Sequence, residues 1–438
     1  MRPGREGASD ARTDGARERR YALYVTGVLM VCNTFSFIDR QVLGLLVTPI
    51  KQEFGISDTR IGLLQGLAFG LFYTLLGIPM GRLVDSGNRR KIVAAGVALW
   101  SLMTAAGAGA RSFSALFLAR MGVGIGEATL SPAAFSLLSD YHPRERLASA
   151  LSIFSMGIFF GSGLALIVGG LIIGAVGSWR LTFLLVGLPG LLAALLALTI
   201  REPARRDLLL TKSGQPSHLD LADVARQVKL RWRSVAGICL AFAAQALCNY
   251  AQQAWLPTYF VRQHGWSLRQ AGVTLGTMSL ATGLLGAYLG GRLADRWQRR
   301  GILEAPLRLA VLATTCAGVT FTVAIALAAG TAKLVVLALA FLFLAMPIGS
   351  AYASLQLILP NQVRGQIGAL QVFALNFFGL ILGPALPGLL NDYVFRDGRM
   401  IGWSLAITVG AASLVSAILF RATFAPYRRD YARMHGGR

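Results

Sequence analysis

The chain has 438 residues, of which 55% are apolar and only 14% charged, with a mean hydropathy of +0.58. Soluble globular chains carry about 25% charged residues, so a soluble enzyme is excluded. Roughly 240 apolar residues, at about 20 per crossing, also exclude a soluble domain on a single anchor. The net charge of +22 has to be placed along the chain before it can be read as a nucleic-acid signal.

Apolar runs of spanning length predict crossings at residues 21–49, 61–81, 92–109, 113–139, 148–174, 180–200, 234–261, 270–291, 306–329, 332–359, 366–390 and 400–420. Residues 1–20, rich in Arg, Gly, Asp and Glu, read as a disordered cytoplasmic tail. A secretory signal peptide at Arg19–Cys32 is the competing reading, but no small-residue cleavage site follows and the run continues into Asp39. The long hydrophilic stretch 201–233 contains Pro203, Pro216 and an amphipathic piece at 219–230, and reads as a cytoplasmic linker. It divides the chain into a six-helix bundle over 21–200 and a second over 234–425, with a cytoplasmic tail at 426–438. The expected fold is an all-α membrane protein of twelve transmembrane helices in two pseudo-symmetric bundles.

Thirty-one of the 42 basic residues fall in the termini and the loops on their side, against nine in the opposite loops. Cytoplasmic loops retain Lys and Arg, so both termini are expected in the cytoplasm. The charge is therefore an orientation signal suited to anionic lipid. Scattered over seven segments, it forms no single face for nucleic acid. Cys32, Cys239, Cys248 and Cys316 all fall in predicted spans without metal-ligand spacing, so neither disulfides nor a metal is expected. No cofactor is expected either: Gly122, Gly124 and Gly126 lie mid-span with no preceding strand, and read as helix packing instead of a dinucleotide loop.

The second span ends in Gly81-Arg82-Leu83-Val84-Asp85-Ser86-Gly87-Asn88-Arg89-Arg90 and the eighth in Gly291-Arg292-Leu293-Ala294-Asp295-Arg296-Trp297-Gln298-Arg299-Arg300, six of ten positions identical at an offset of 210. Gly62/Gly272, Gly66/Gly276 and Leu75/Leu285 keep that offset. Two homologous halves are the economical reading, a repeat architecture found in secondary transporters. The loop, its copy and the twelve spans resemble the major facilitator superfamily over essentially the whole chain. That resemblance implies a cytoplasmic gate built from Gly81, Asp85, Arg89 and Arg90 with Gly291, Asp295, Arg299 and Arg300. The glycines would allow close helix approach and the charged groups would close the cytoplasmic side against the other half. Ser86 stands where the pattern has arginine, so the first-half latch is expected to be weaker. Phe37-Ile38-Asp39-Arg40, the run Arg120 to Ala128, and Ser139-Asp140-Tyr141-His142-Pro143 resemble the spinster-like branch, which implies a lysolipid or sphingoid-lipid substrate. The Asp-Arg and Gly-Glu pairs are shared with organic-anion symporters.

Only Asp39, Arg40, Arg120 and Glu127 are charged within the predicted spans, ends aside. Each costs several kcal/mol to bury unless paired or facing water. At about 1.5 Å per residue, Asp39 and Arg120 fall within one or two turns of the same depth. Asp39 and Glu127 are the candidate proton-coupling carboxylates, with Arg40 and Arg120 as counter-charges or, for a substrate phosphate or carboxylate, as ligands. Two static ion pairs locking the first span to the fourth are the alternative. In the C-terminal half Gln245, Asn249 and Gln253 share one helix face, and Tyr352, Gln356 and Asn376 are further candidate substrate contacts. Polar glue between helices is equally open to these residues. The reading is a monomeric, proton-coupled transporter of an amphipathic small molecule in a bacterial inner membrane. An organic-anion symporter, a drug exporter and a non-transporting sensor are the alternatives, and no enzymatic site is expected.

Overall fold

The structure, a computed structural model, describes residues 6–204, 226, 228–327, 330–359 and 364–435. Most of the linker 201–233 and of its amphipathic stretch therefore lies outside the described residues. The described secondary structure is entirely helical. α1 is Glu6–Leu45, α2 is Asp58–Gln65 continued by Leu67–Ser86, α3 is Arg89–Gly107 and α4 is Phe113–Glu127 continued by Leu130–Tyr141. α5 is Arg144–Val176 and α6 is Trp179–Gly187 continued by Gly190–Ala197. The second half holds α7 (Trp232–His264), α8 (Leu268–Arg299), α9 (Ala305–Ala326) and α10 (Thr331–Ala345 with Pro347–Ile358). α11 (Arg364–Ala374 on to Leu390–Phe395), α12 (Ile401–Ala422) and a terminal helix α13 (Phe424–His435) complete it.

Eleven of these helices are long and apolar enough to cross a membrane. Of the other two, the terminal α13 has 12 residues, and α3 has 19, so any stretch of spanning length within α3 includes Arg90 and Lys91. α1 starts at Glu6, inside the segment whose composition reads as disordered. Ala11, Arg12, Ala16, Arg17 and Glu18 are good helix formers and run without a break into the apolar span, which nucleates their helix.

Both termini lie at one end of the molecule. Tyr21 bonds the Thr199 carbonyl at 3.3 Å at the end of α6, and Ser234, which opens α7, donates to Asp430 of α13 at 2.6 Å. The halves meet at the opposite, far end. Along α2 a β-carbon added at Gly62 would stand 2.5 Å from the Pro384 carbonyl oxygen of α11, and at Gly66 2.5 Å from that of Ile381. On α8, the repeat partners Gly272 and Gly276 meet α5 in the same way, at 2.4 Å from the Leu166 oxygen and 2.7 Å from that of Gly163. Nearer the termini, a β-carbon added at Gly81 or Gly291 would meet nothing within 4 Å among the described residues of other elements. The two halves thus close at the far end through paired glycines and diverge toward the termini.

Candidate functional site

Ser36 and Arg40 sit one turn apart on α1 and so share a face. Glu127 ends the first segment of α4, where the chain turns through Ala128 and Thr129 before the helix resumes. Its Oε2 accepts from Ser36 Oγ at 2.5 Å and from Arg40 Nε at 2.6 Å, while its Oε1 has no hydrogen-bond partner. The pair is nearly dry, the side chains being 8% and 0% exposed. The Arg40 guanidinium lies 4.7 Å from the ring centres of Phe37 and Phe69 and 4.5 Å from that of Tyr73, with Tyr250 of α7 beside it. A guanidinium between aromatic faces keeps part of its solvation as cation–π attraction, which offsets the burial of this charge. Through Tyr250 the pair also touches the second half.

Arg120 is buried and donates from Nη1 to the Asp39 main-chain oxygen at 3.1 Å. The expected common depth of the two residues is therefore observed, but the contact is to backbone. Asp39 is 1% exposed, its Oδ1 has no hydrogen-bond partner, and among the described residues it forms no ion pair. Of the two expected counter-charges, Arg40 serves Glu127 and Arg120 holds α4 against α1. The glycines around them pack helices: a β-carbon at Gly124 would stand 2.5 Å from the Phe69 oxygen, and at Gly126 2.8 Å from the Trp100 nitrogen.

On α7, Gln253 accepts a hydrogen bond from Gln41 of α1 and so joins the halves. Gln245 donates to the Leu344 oxygen at 3.1 Å with its own Oε1 unpartnered, and Asn249 donates to the Gln245 oxygen at 3.2 Å. Tyr352, edge-on to Phe242 at 5.1 Å, and Gln356 are exposed on α10. Asn376 is buried in the π-helical turn Leu375–Leu380, next to the exposed rings of Phe377 and Phe378. Such turns disturb the helix ladder and often mark functional positions.

The expected gate residues do not meet across the halves. Arg89 is 1% exposed and bound within its own half, to Asp140, to Glu202 at 2.6 Å, to Ser136 Oγ at 3.0 Å and to the Pro203 oxygen at 2.9 Å. The Arg90 main chain donates to Glu202 at 3.0 Å and its side chain to the Ile200 oxygen at 3.3 Å. Asp85, Asp295, Arg299 and Arg300 are exposed, and among the described residues no ion pair joins either loop to the opposite half. The physical reason is the divergence of the halves at this end, which leaves Gly81 and Gly291 without a facing helix.

An ionic latch stands instead at the far end. Asp58, fully buried at the start of α2, accepts from Lys51 Nζ at 2.6 Å, from Asn391 Nδ2 of α11 at 2.6 Å, and from both terminal nitrogens of Arg262 of α7 at 2.8 Å. Asp392 in turn accepts the Thr59 main-chain N–H at 2.6 Å, capping α2 from the other half. In the sequence Asp58 reads as an ordinary first-turn acid after the N-cap Ser57, and Arg262 as an orienting loop charge. Nothing local marks them as partners across 204 residues.

Two six-helix halves joined at one end, with charged side chains buried between them, define a polytopic membrane transporter of the two-bundle kind. The family pattern of the Major Facilitator Superfamily matches residues 29–384, and the chain belongs to that superfamily. An MFS-type efflux pump of Mycolicibacterium smegmatis is 32% identical over 422 residues, 94% of either chain. Protein spinster homolog 1 of Mus musculus is 27% identical over 452 residues, 95% of this chain and 84% of the relative. A crystal structure of a bacterial homolog of the human lysosomal transporter Spinster, inward-facing and unoccupied, matches with a TM-score of 0.76 at 25% identity over 94% of this chain and 98% of that one. Within the superfamily the chain resembles the spinster-like branch.

Proposed function

We propose that the protein is a proton-coupled secondary transporter that moves an amphipathic anion of lysolipid type by alternating access. The observation that carries this reading is the buried Arg40–Glu127 pair with Tyr250 of the other half beside it. A carboxylate there has one oxygen occupied by Ser36 and Arg40 and the other unpartnered, so the second oxygen is free to take up a proton. Protonation removes the attraction that holds Arg40, and the cation is then drawn toward any anion entering between the halves. Asp39, with an unpartnered oxygen at the same level, is the second proton carrier, and Arg120 fixes the spacing of the two helices.

The substrate class is supported by the asymmetry of the two halves. Charge lies on α1 and α4, whereas α10 and α11 offer Tyr352, Gln356, Phe377 and Phe378, which suits one charged head and an apolar body. Both termini are assigned to the cytoplasm of a bacterial inner membrane, so the closed far end makes this conformation inward-facing, with the loops around Asp85 and Asp295 meeting only in the opposite state. Export of drug-like compounds is a second reading, favoured by the 32% identity to an efflux pump.

Reconstitution into vesicles tests both. The wild type should concentrate a lysolipid under an imposed pH gradient, and Glu127→Gln should exchange it but no longer concentrate it. A folded Glu127→Gln protein that still concentrates substrate would overturn the coupling role. Thermal-shift screening against lysolipids, organic anions and sugars separates the substrate classes, and stabilisation by sugars alone would overturn the amphipathic reading.

A further inference from the structure

Lys333, at the far end of α10, is 3% exposed, deeper than its place at a predicted loop edge suggests. Its Nζ contacts the Tyr259 hydroxyl, His264 Nε2 at 3.0 Å and the Ile325 carbonyl oxygen at 3.5 Å. None of the three carries negative charge, and among the described residues Lys333 forms no ion pair. A buried ammonium satisfied in hydrogen bonds but not in charge is costly, and here it borders open space. A pocket of about 510 Å³ is lined by Tyr259, Arg262, Gln263, His264, Lys333 and Arg399, together with Ile325 and Leu327. Every charged group in that lining is basic. Arg262 is committed to Asp58, which leaves Lys333 and the exposed Arg399 uncompensated. Asp397 caps the short turn of Arg399 by accepting its main-chain N–H at 2.8 Å and does not line the pocket.

We propose that this pocket is an anion site, separate from the transport site, which takes a phosphate group. Tyr250, beside Arg40, and Tyr259 are nine residues apart on α7, about 14 Å along the axis, so a phosphate group held at one site does not reach the other. Lys333 supplies a point charge at the floor, Arg399 a planar guanidinium at the mouth, and Gln263 and Tyr259 neutral contacts between them. The Arg399 guanidinium and the second N–H of Gln263 donate to the phosphate, and Lys333, whose three N–H are committed, attracts it by charge. The volume leaves room for the group that carries it. Because the pocket opens at the end of the spans, the phosphate can belong to a free solute or to the headgroup of an anionic lipid.

The test uses the full-length purified protein. Sodium phosphate is titrated against sodium chloride at matched ionic strength while thermal stability is followed, and phosphatidylglycerol retention over phosphatidylcholine is measured in mixed micelles by native mass spectrometry. Saturable stabilisation by phosphate supports a free solute, and selective retention of phosphatidylglycerol supports a headgroup. In either case Arg399→Gln, at an exposed position that leaves folding intact, and Lys333→Gln should weaken binding about tenfold, the worth of one charge-assisted contact. Arg421→Gln, at the opposite end, should not. Absence of both effects in the wild type, or their persistence in Arg399→Gln, would overturn the site.

Discussion

Arg262 of α7 grips Asp58 of α2 with two prongs, Nη1 to Oδ2 and Nη2 to Oδ1, each at 2.8 Å, and so ties the second half to the first. The carboxylate is fully buried while the guanidinium is 14% exposed. Removing one member of a fully buried pair costs about 3–5 kcal/mol, and partial exposure of Arg262 and Lys51 reduces this. Asp58→Asn is expected to weaken far-end closure by roughly 1–3 kcal/mol, a 5- to 150-fold shift toward the state open at that end. Gln253→Cys in a cysteine-free background lies about 14 Å inward from Arg262 and reports the change. Its labelling by an impermeant maleimide from the far side should accelerate in Asp58→Asn, and an unchanged rate would count against the latch.

Arg40 binds Glu127 through Nε at 2.6 Å while its plane lies among Phe37, Phe69 and Tyr73. Lysine carries the same charge but has neither the Nε donor nor the flat surface. Arg40→Lys should therefore fold yet lose about 1–2 kcal/mol of aromatic contact, and transport should fall on the order of tenfold or more. Retention of wild-type transport in Arg40→Lys would show that charge alone suffices there. The comparison is made in vesicles with protein amounts matched by chromatography.

His142, in the turn after α4, is buried with Nε2 at 2.8 Å from Thr26 Oγ1, and Thr26 donates to the Ala22 oxygen at 2.9 Å. Burial holds the imidazole below its usual pKa, and Arg146 adds repulsion against the opposing effect of the Ala22 backbone. The folded state thus binds this proton less readily than the unfolded state. Stability is complete above the ordinary histidine range near pH 6.5 and is lost as pH falls through the lower folded value. Thermal stability should decline on acidification below about pH 6.5, and His142→Gln should flatten that decline. An equally steep decline in the variant would remove His142 from the account.

The twelve-helix layout was legible because hydropathy reports directly on what a bilayer requires of backbone and side chains. The repeat was legible too, and its meaning is sharper in three dimensions. Gly62 and Gly66 meet α11 just as Gly272 and Gly276 meet α5, so the offset of 210 records two symmetric interfaces. The Arg40–Glu127 contact follows from charge in spans, since few partners exist for each. The Asp58 latch was not legible, because a first-turn acid and a loop arginine have innocent local explanations. Lys333 was hidden in the same way, as its burial depends on Tyr259 and His264 of another helix. The loops with Asp85 and Asp295 illustrate a different limit: their motif repeats clearly in the sequence, yet among the described residues no ion pair joins either loop to the opposite half.

Gly66 is where closure at the far end can be tested sterically. A β-carbon there would stand 2.5 Å from the Ile381 oxygen and 3.1 Å from that of Leu380, both backbone atoms that cannot rotate away. Gly66→Val must therefore push α2 from α11, at an overpacking cost of about 1–3 kcal/mol. Because the cost falls on the far-end-closed state, the protein should populate the state in which the Asp85 and Asp295 loops approach the opposite half. Cysteines placed at Leu83 and Leu293, crosslinked with a short bifunctional reagent, measure that approach. Crosslinking should rise in Gly66→Val, and again in the symmetric variant Gly276→Val, whose added β-carbon would meet the Gly163 oxygen at 2.7 Å. A rise in one but not the other would mean that the two glycine interfaces do not open together.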